Sequence, residues 1–350
     1  MPAPPRLAAP RRLAPSALAI VAALAFAGCT AADAVPPAST TAADAVPPAS
    51  TPGGDAGTGY PLTIDNCGTE VTFDAAPERV LAIKSTSIEM MLALGLEDRL
   101  VGTAFSDGEP SAQWADRAAG VPVISDRVPG QEATLELEPD LVYAGWESNV
   151  TADGAGDRDT LATLGVDTYV SPAACQEPGY QPNPLTFDDV FADIAEMGAI
   201  FDVPDRAQQL IDRQRAALAA LTPDDRGLTA LWFSSGSDTP FVGAGIGAPQ
   251  MMMDAAGLTN IAGDIDETWS SLSWEVVVEA NPDVIVLVDS AWGSTEKKIG
   301  VLESNPATAA LPAVQEGRYL VVPFPAAEAG VRNVEAVDAM LTQIADLDLP

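Results

Sequence analysis

Fifty carboxylates, three cysteines and no histidine bound the chemistry open to this 350-residue chain. Without histidine there is no Ser-His-Asp triad, no Cys-His dyad and no His-ligated zinc or haem. A carboxylate pair of the glycosidase kind remains open to catalysis, but no two acids stand out as such a pair. The residues with an evident use sit at the ends of apolar runs instead. Lys84, Ser85 and Thr86 close or follow RVLAIK, and Trp146, Glu147 and Asn149 close or follow LVYAGW. Ser234 and Ser235 end LTALWFSS, Trp269 stands in the loop TWSSLSW, and Arg332 lies just before a final helical stretch. Small hydroxyls at a helix start cap it, and the free N–H groups there favour anions. Lysine or arginine adds a cation, and tryptophan a stacking surface. This is equipment for holding a solute. The glycine-rich GAGIGAP (243–249) fits neither GxGxxG nor a P-loop, so it implies no nucleotide.

The elements that must position these residues alternate in type. RVLAIK (79–84), LVGTAF (100–105), VPVIS (121–125), LVYAGW (141–146) and VDTYV (166–170) read as strands. Ile88, Met91 and Leu92 follow helical spacing, and Gly95 stops that helix. Residues 186–221 are helical almost throughout, with Pro204 in the first position of a helix and Pro223 and Gly227 closing the stretch. The strand-and-helix pattern then resumes with LTALWFSS (228–235), a helix near Gln250 to Ala256, DVIVLVD (283–289), RYLVVP (318–323) and a last helix from about Val334. MLALGLEDRLVG (91–102) echoes MDAAGLTNIAGD (253–264), and EPDLVYAGW (138–146) echoes NPDVIVLVDSAW (281–292). The expected fold is α/β: two Rossmann-like lobes joined by one long rigid helix, with a cleft between them. In open α/β sheets ligands lie beyond the carboxyl ends of the strands. The expected divisions are 1–28, 29–59, 60–185, 186–226 and 227–350.

The first two of these divisions read as export and tether. Arg6, Arg11 and Arg12 precede an apolar segment, Leu13 to Phe26, which is too short to span a bilayer and suits a secretory signal. Phe26, Ala27 and Gly28 before Cys29 resemble a bacterial lipobox, making Cys29 the lipidated first residue of the mature chain; an ordinary signal peptide is the alternative. The twin arginines lack the rest of a twin-arginine export motif. TAADAVPPAST at 30–40 is repeated at 41–51, a spacer too poor in large apolar residues to fold. Cys67 and Cys175 remain; in an exported chain such a pair reads as a disulfide, with two buried free thiols as the alternative. No metal site is expected. Seventeen basic residues less Arg6, Arg11 and Arg12 leave 14 against 50 acids, a net charge of −36. That excess excludes nucleic acid as a partner and suits a soluble, exposed surface.

The order of motifs from IDNCGTEVTFDAAPERVLAIKSTSIEMMLALGLEDRLVGT through LEPDLVYAGW, TPFVGAG, GLTNIA, WEVVVEANPDVIVLV and GVRNVEAVDAM resembles the cobalamin and ferric-siderophore class of solute-binding proteins for ABC importers. The resemblance covers about residues 61–345. It implies two α/β lobes, a rigid connecting helix, no catalysis and no cofactor. The implied partners are a permease with its ATPase and a small-molecule ligand, and the implied state is an extracytoplasmic, lipid-anchored monomer. By resemblance Trp146 and Trp269 line the cleft, joined as candidate ligand contacts by Lys84, Ser85, Thr86, Asn149 and Arg332. Glu275, six residues after Trp269, matches a surface acid that docks on the permease, with Asp157, or Asp153 in reserve, as its counterpart on the first lobe. SPAACQEPGYQPNPLTFDDVF resembles an actinobacterial subgroup proposed to take up an unglutamylated deazaflavin coenzyme precursor, a phospholactate. An anion with a flat ring would draw on Lys84, Arg332 and a tryptophan. A ferric siderophore or cobalamin is the alternative within the class. A secreted glycosidase or a surface adhesion lipoprotein is the alternative outside it.

Overall fold

The computed structural model describes residues 59–347 and 349. A hairpin of β1 (Leu62–Asn66) and β2 (Thr69–Phe73) precedes the first sheet. That sheet comprises β3 (Val80–Ile83), β4 (Leu100–Ala104), β5 (Val123–Ser125), β6 (Leu141–Ala144) and β7 (Asp167–Val170), all parallel, in the order β5-β4-β3-β6-β7. The central strands are unbroken apolar runs because helices cover both faces of a parallel sheet; all four residues of β3 and of β6 are buried. The helices of this lobe are α1 (Ser85–Ala93), α2 (Ala115–Ala118), α3 (Gln131–Leu135) and α4 (Arg158–Thr163). The strand order reverses between β3 and β6, the switch point at which such sheets open a crevice.

The hairpin is absent from the strand reading of the sequence, although LTIDN and TEVTF alternate as half-buried strands do. It is held on the free edge of β7. The Asn66 carboxamide accepts from Val170 N–H and donates to Val170 C=O, both at 2.8 Å. Cys67 then joins Cys175 in a disulfide across 108 residues of chain, which decides the question of pairing.

The connecting segment is two helices and not one continuous rod. α5 (Phe187–Ile200) ends at Phe201, Asp202 takes a left-handed φ of 55°, and α6 (Pro204–Ala220) starts with Pro204 at its first position. A left-handed residue followed by proline cannot continue a helix. α6 extends over roughly 25 Å and packs back along α5, with Arg215 on Asp188 at 3.0 Å. Arg206 near its start donates to the Leu94 and Gly95 carbonyls, and Gln214 further on donates to Val331 C=O.

The second lobe holds β8 (Thr229–Ser235), β9 (Phe241–Gly243), β10 (Thr259–Asn260), β11 (Trp269–Ser271), β12 (Val284–Asp289) and β13 (Tyr319–Pro323). Its main path runs β11-β9-β8-β12-β13, with β10 beside β8. β8, β12 and β13 are parallel, whereas β9 turns back antiparallel to β8 and β11 is antiparallel to β9. The helices are α7 (Ala248–Ala256), α8 (Trp274–Ala280), α9 (Thr295–Ser304), α10 (Pro312–Gln315), α11 (Phe324–Ala327) and α12 (Asn333–Asp346). No described helix is long and apolar enough to cross a membrane.

Candidate ligand-binding cleft

The carboxyl ends of the two sheets enclose a cleft of about 800 Å3. From the first lobe, Thr86 comes from the start of α1, Gly145, Trp146 and Glu147 from the end of β6, and Ser171 and Gln176 from beyond β7. From the second, Ser234 and Ser235 close β8, Phe241 and Trp269 lie on β9 and β11, and Trp292 comes just after β12. Phe324 and Glu328 bracket α11. Phe241 and Trp269 stack, with ring centroids 6.2 Å apart and planes 13° from parallel.

Gly145 is what lets the two central strands of the first lobe meet here. A Cβ on it would lie 2.5 Å from Thr86 Oγ1 and 2.6 Å from Lys84 Cβ. Lys84, at φ 82° between β3 and α1, runs beneath this floor and is fully buried. Its ammonium is paired with Asp107 and lies 3.6 Å from the Trp146 ring centroid, 4.5 Å from Phe105 and 5.0 Å from Phe324. Two rings come from one lobe and one from the other, so a single cation holds aromatic side chains of both.

Two further polar contacts cross between the lobes. Trp146 donates its indole N–H to Glu328 Oε1 at 2.6 Å. Arg332, at the start of α12, reaches Glu89 of α1 at 3.3 Å, and Glu89 also accepts from Ser111 N–H at 3.0 Å. Burial pushes the Glu89 carboxyl up to about 7, with Arg332 pulling the other way. Burial pushes Glu328 up to about 7 as well; Lys84 opposes this, and Asp107 adds to it. Glu328 Oε2 and Thr86 Oγ1 have no hydrogen-bond partner among the described residues, and Thr86 is only 6% exposed.

Of the seven candidate ligand contacts, Thr86, Trp146 and Trp269 line the cleft. The other four require correction. Lys84 is sealed under the rings with Asp107, and Arg332 is spent on Glu89. Neither is among the described residues that line the cleft. Ser85 turns inward, its hydroxyl accepting from Asp107 N–H at 2.9 Å. Asn149 is 1% exposed and accepts the Trp146 N–H at 3.0 Å, so it positions that residue from behind. Each of these polar side chains is needed by the fold itself, which residue type and spacing do not reveal. Trp292, Phe324 and Glu328 escape the reading of residue types. The first two carry a signal all the same, since they stand just past the strand runs DVIVLVD and RYLVVP, where cleft residues belong.

The two docking candidates are exposed. Glu275 lies in the first turn of α8, and Asp157 caps α4 by accepting from Thr160 N–H, with Asp153 exposed nearby. Cys29, the signal segment 1–28 and the repeated spacer lie outside the described residues.

A family model described as "Periplasmic binding protein" matches residues 80–326. A cobalamin-binding protein of Halobacterium salinarum is 29% identical over 244 residues, covering 66% of this chain but 60% of its own length. A Bacillus subtilis protein described as an uncharacterized ABC transporter substrate-binding lipoprotein is 25% identical over 295 residues, covering 81% and 86%. A solved structure of an ABC-type Fe3+-hydroxamate transport system from Saccharomonospora viridis has 28% identity and a TM-score of 0.70, covering 81% of this chain and 99% of that one.

Proposed function

The chain belongs to the periplasmic binding protein family, whose model spans residues 80–326, and from that premise we propose that it is the solute-capturing component of an ABC importer. The observation that carries the proposal is the placement of Trp146 and Trp269, from opposite lobes, on one cleft of about 800 Å3. Such a volume is toward the upper end of the roughly 300–1,000 Å3 typical of pockets for drug-sized ligands. The family is one of binding proteins, so the glycosidase alternative falls away. In this reading Cys29 anchors the chain outside the cytoplasm and residues 29–59 form the leash. The lobes 60–185 and 227–350 act as a monomeric trap, and Asp157 and Glu275 meet cations of a permease.

For the solute we favour a large metal chelate or cobalamin-type ring system over the deazaflavin phospholactate. The phospholactate reading asks for a cation at the phosphodiester, and the two expected to provide it are paired with Asp107 and Glu89. The relative described as cobalamin-binding and the structure described as an Fe3+-hydroxamate transport system point toward the chelate. Haem fits less well, since no tyrosine, methionine or histidine is among the described residues that line the cleft and could ligate its iron.

Calorimetric titration of the full chain with cobalamin, a ferric trihydroxamate and the deazaflavin phospholactate tests the reading. Saturable binding of one of the first two, weakened at least about tenfold by Trp269→Ala, is expected. Saturation by the phospholactate alone would restore the subgroup assignment. Binding by none of the three would overturn the importer reading.

A further inference from the structure

The charge on the cleft wall is one-sided. Four carboxylates, those of Glu147, Asp266, Glu267 and Glu328, line it, and among the described residues no lysine or arginine does. The described residues include 14 basic side chains, so their exclusion from the wall is a matter of placement. Lys84, which comes nearest, is neutralised by Asp107 and sealed from the cleft at 0% exposure. The ring faces exposed alongside carry negative quadrupoles, which attract cations. Low-dielectric walls of one sign also focus the field on whatever enters.

The floor adds an independent observation. Thr86, more than nine-tenths buried, lines the cleft and its Oγ1 is unpartnered among the described residues, as is Glu328 Oε2 beside the Trp146 contact. A buried polar atom left without a partner costs about 1–3 kcal/mol, so a solute that supplies a donor there recovers that cost. The Glu328 carboxylate can accept from an N–H, and the Thr86 hydroxyl can accept or donate.

Resting on the importer reading, we infer that this cleft selects solutes carrying positive charge, with Glu328 as the residue that recognises the cationic group and Asp266 and Glu267 steering it in. The ligand class is therefore an amine-bearing or otherwise cationic ring system or chelate. An anionic solute would meet a wall with acidic residues and no lysine or arginine among the described residues that line it.

A charge ladder on one scaffold tests this. The probes are a ferric trihydroxamate with a free primary amine, its N-acetyl derivative and its N-succinyl derivative, which differ by one unit of charge at each step while keeping the chelate. Titrated into the full chain at low salt, the cationic member is expected to bind about tenfold more tightly than the neutral one, and the anionic member more weakly still. Glu328→Gln, which keeps an acceptor for Trp146, should compress that ladder at least about threefold, read as the ratio between its members. The exposed pair Asp266→Asn/Glu267→Gln, which carries little folding risk, should reduce the salt dependence of the association rate. Equal or tighter binding of the anionic member would overturn the inference while leaving the importer reading intact, and so would an unchanged ladder in Glu328→Gln. If no member of the ladder binds, aquacobalamin and its neutral cyano form replace it. Failure of both ladders would overturn the chelate reading on which the inference rests.

Discussion

Trp146 of the first lobe donates its indole N–H to Glu328 Oε1 of the second, 2.6 Å away and 182 residues distant in the chain. The same indole packs over the Lys84 ammonium, and Asn149 fixes its backbone from behind. One side chain thus serves as cleft wall, inter-lobe contact and lid of a buried ion pair. Perturbations of the floor should therefore register in both stability and binding.

Removing the Lys84 cation should expose this coupling. Lys84→Met strands the buried Asp107 carboxylate and is expected to cost about 3–5 kcal/mol in denaturant unfolding. Lys84→Met/Asp107→Asn should recover most of that loss, because no buried charge is then left unpaired. If the single variant retained full stability, the ammonium would have no structural role.

Gly145→Ala tests the close approach beneath the cleft. Its Cβ would fall within 2.6 Å of both Thr86 Oγ1 and Lys84 Cβ. The strands must spread or the two side chains must shift, at a cost of about 1–3 kcal/mol. The Kd for the bound chelate should rise in parallel, measured by calorimetry. A variant with native Tm and native affinity would show that the floor can yield freely.

Loss of the Cys67–Cys175 bridge should loosen both the hairpin and the cleft wall. The bridge spans 108 residues, and Cys175 itself lines the cleft. For a loop of that length the chain-entropy model gives roughly 4–5 kcal/mol. Cys67→Ser/Cys175→Ser should therefore unfold at distinctly lower denaturant. Since Ala174 and Cys175 are wall residues, the ligand off-rate should also increase.

Glu89 contributes to the pH dependence of stability, alongside the buried Asp193, also raised to about 7, and Asp167, raised to about 6. The Glu89 carboxyl is raised from its ordinary value of 4.5 to about 7, chiefly by burial. The folded state therefore binds this proton more tightly than the unfolded chain does. The stabilisation is fully present below about pH 4.5 and is lost as pH rises through about 7, and it amounts to roughly 3 kcal/mol. Glu328, facing Trp146, Lys84 and Asp107, is raised to about 7 and acts in the same direction. Calorimetric Tm should fall between about pH 5 and pH 8, and Glu89→Gln should flatten part of that fall. A Tm that rises over this range would contradict the burial of these carboxyls. Cation binding at Glu328 should run the opposite way, strengthening above about pH 7 as the carboxyl ionises.

Much of the architecture was legible in the chain. Short apolar runs such as VLAI and VIVLV, flanked by turn residues, suit strands buried on both faces, and Pro204 suits the first position of a helix, so the alternation and both lobes came out of local rules. The absence of histidine removed whole classes of chemistry outright. The place of the cleft was legible too, because strand ends in open sheets must face it. The polarity of the site was a different matter. Lys84 and Arg332 read as cations awaiting an anion, yet folding paired each with a carboxylate 23 and 243 positions away, Asp107 and Glu89. A buried charge must find a partner, and which acid comes within reach depends on how the lobes dock, a relation no local spacing encodes. Tertiary packing thereby withdrew the two cations from the wall and left Glu147, Asp266, Glu267 and Glu328 on it, so the wall carries acids where the residue types alone suggested cations.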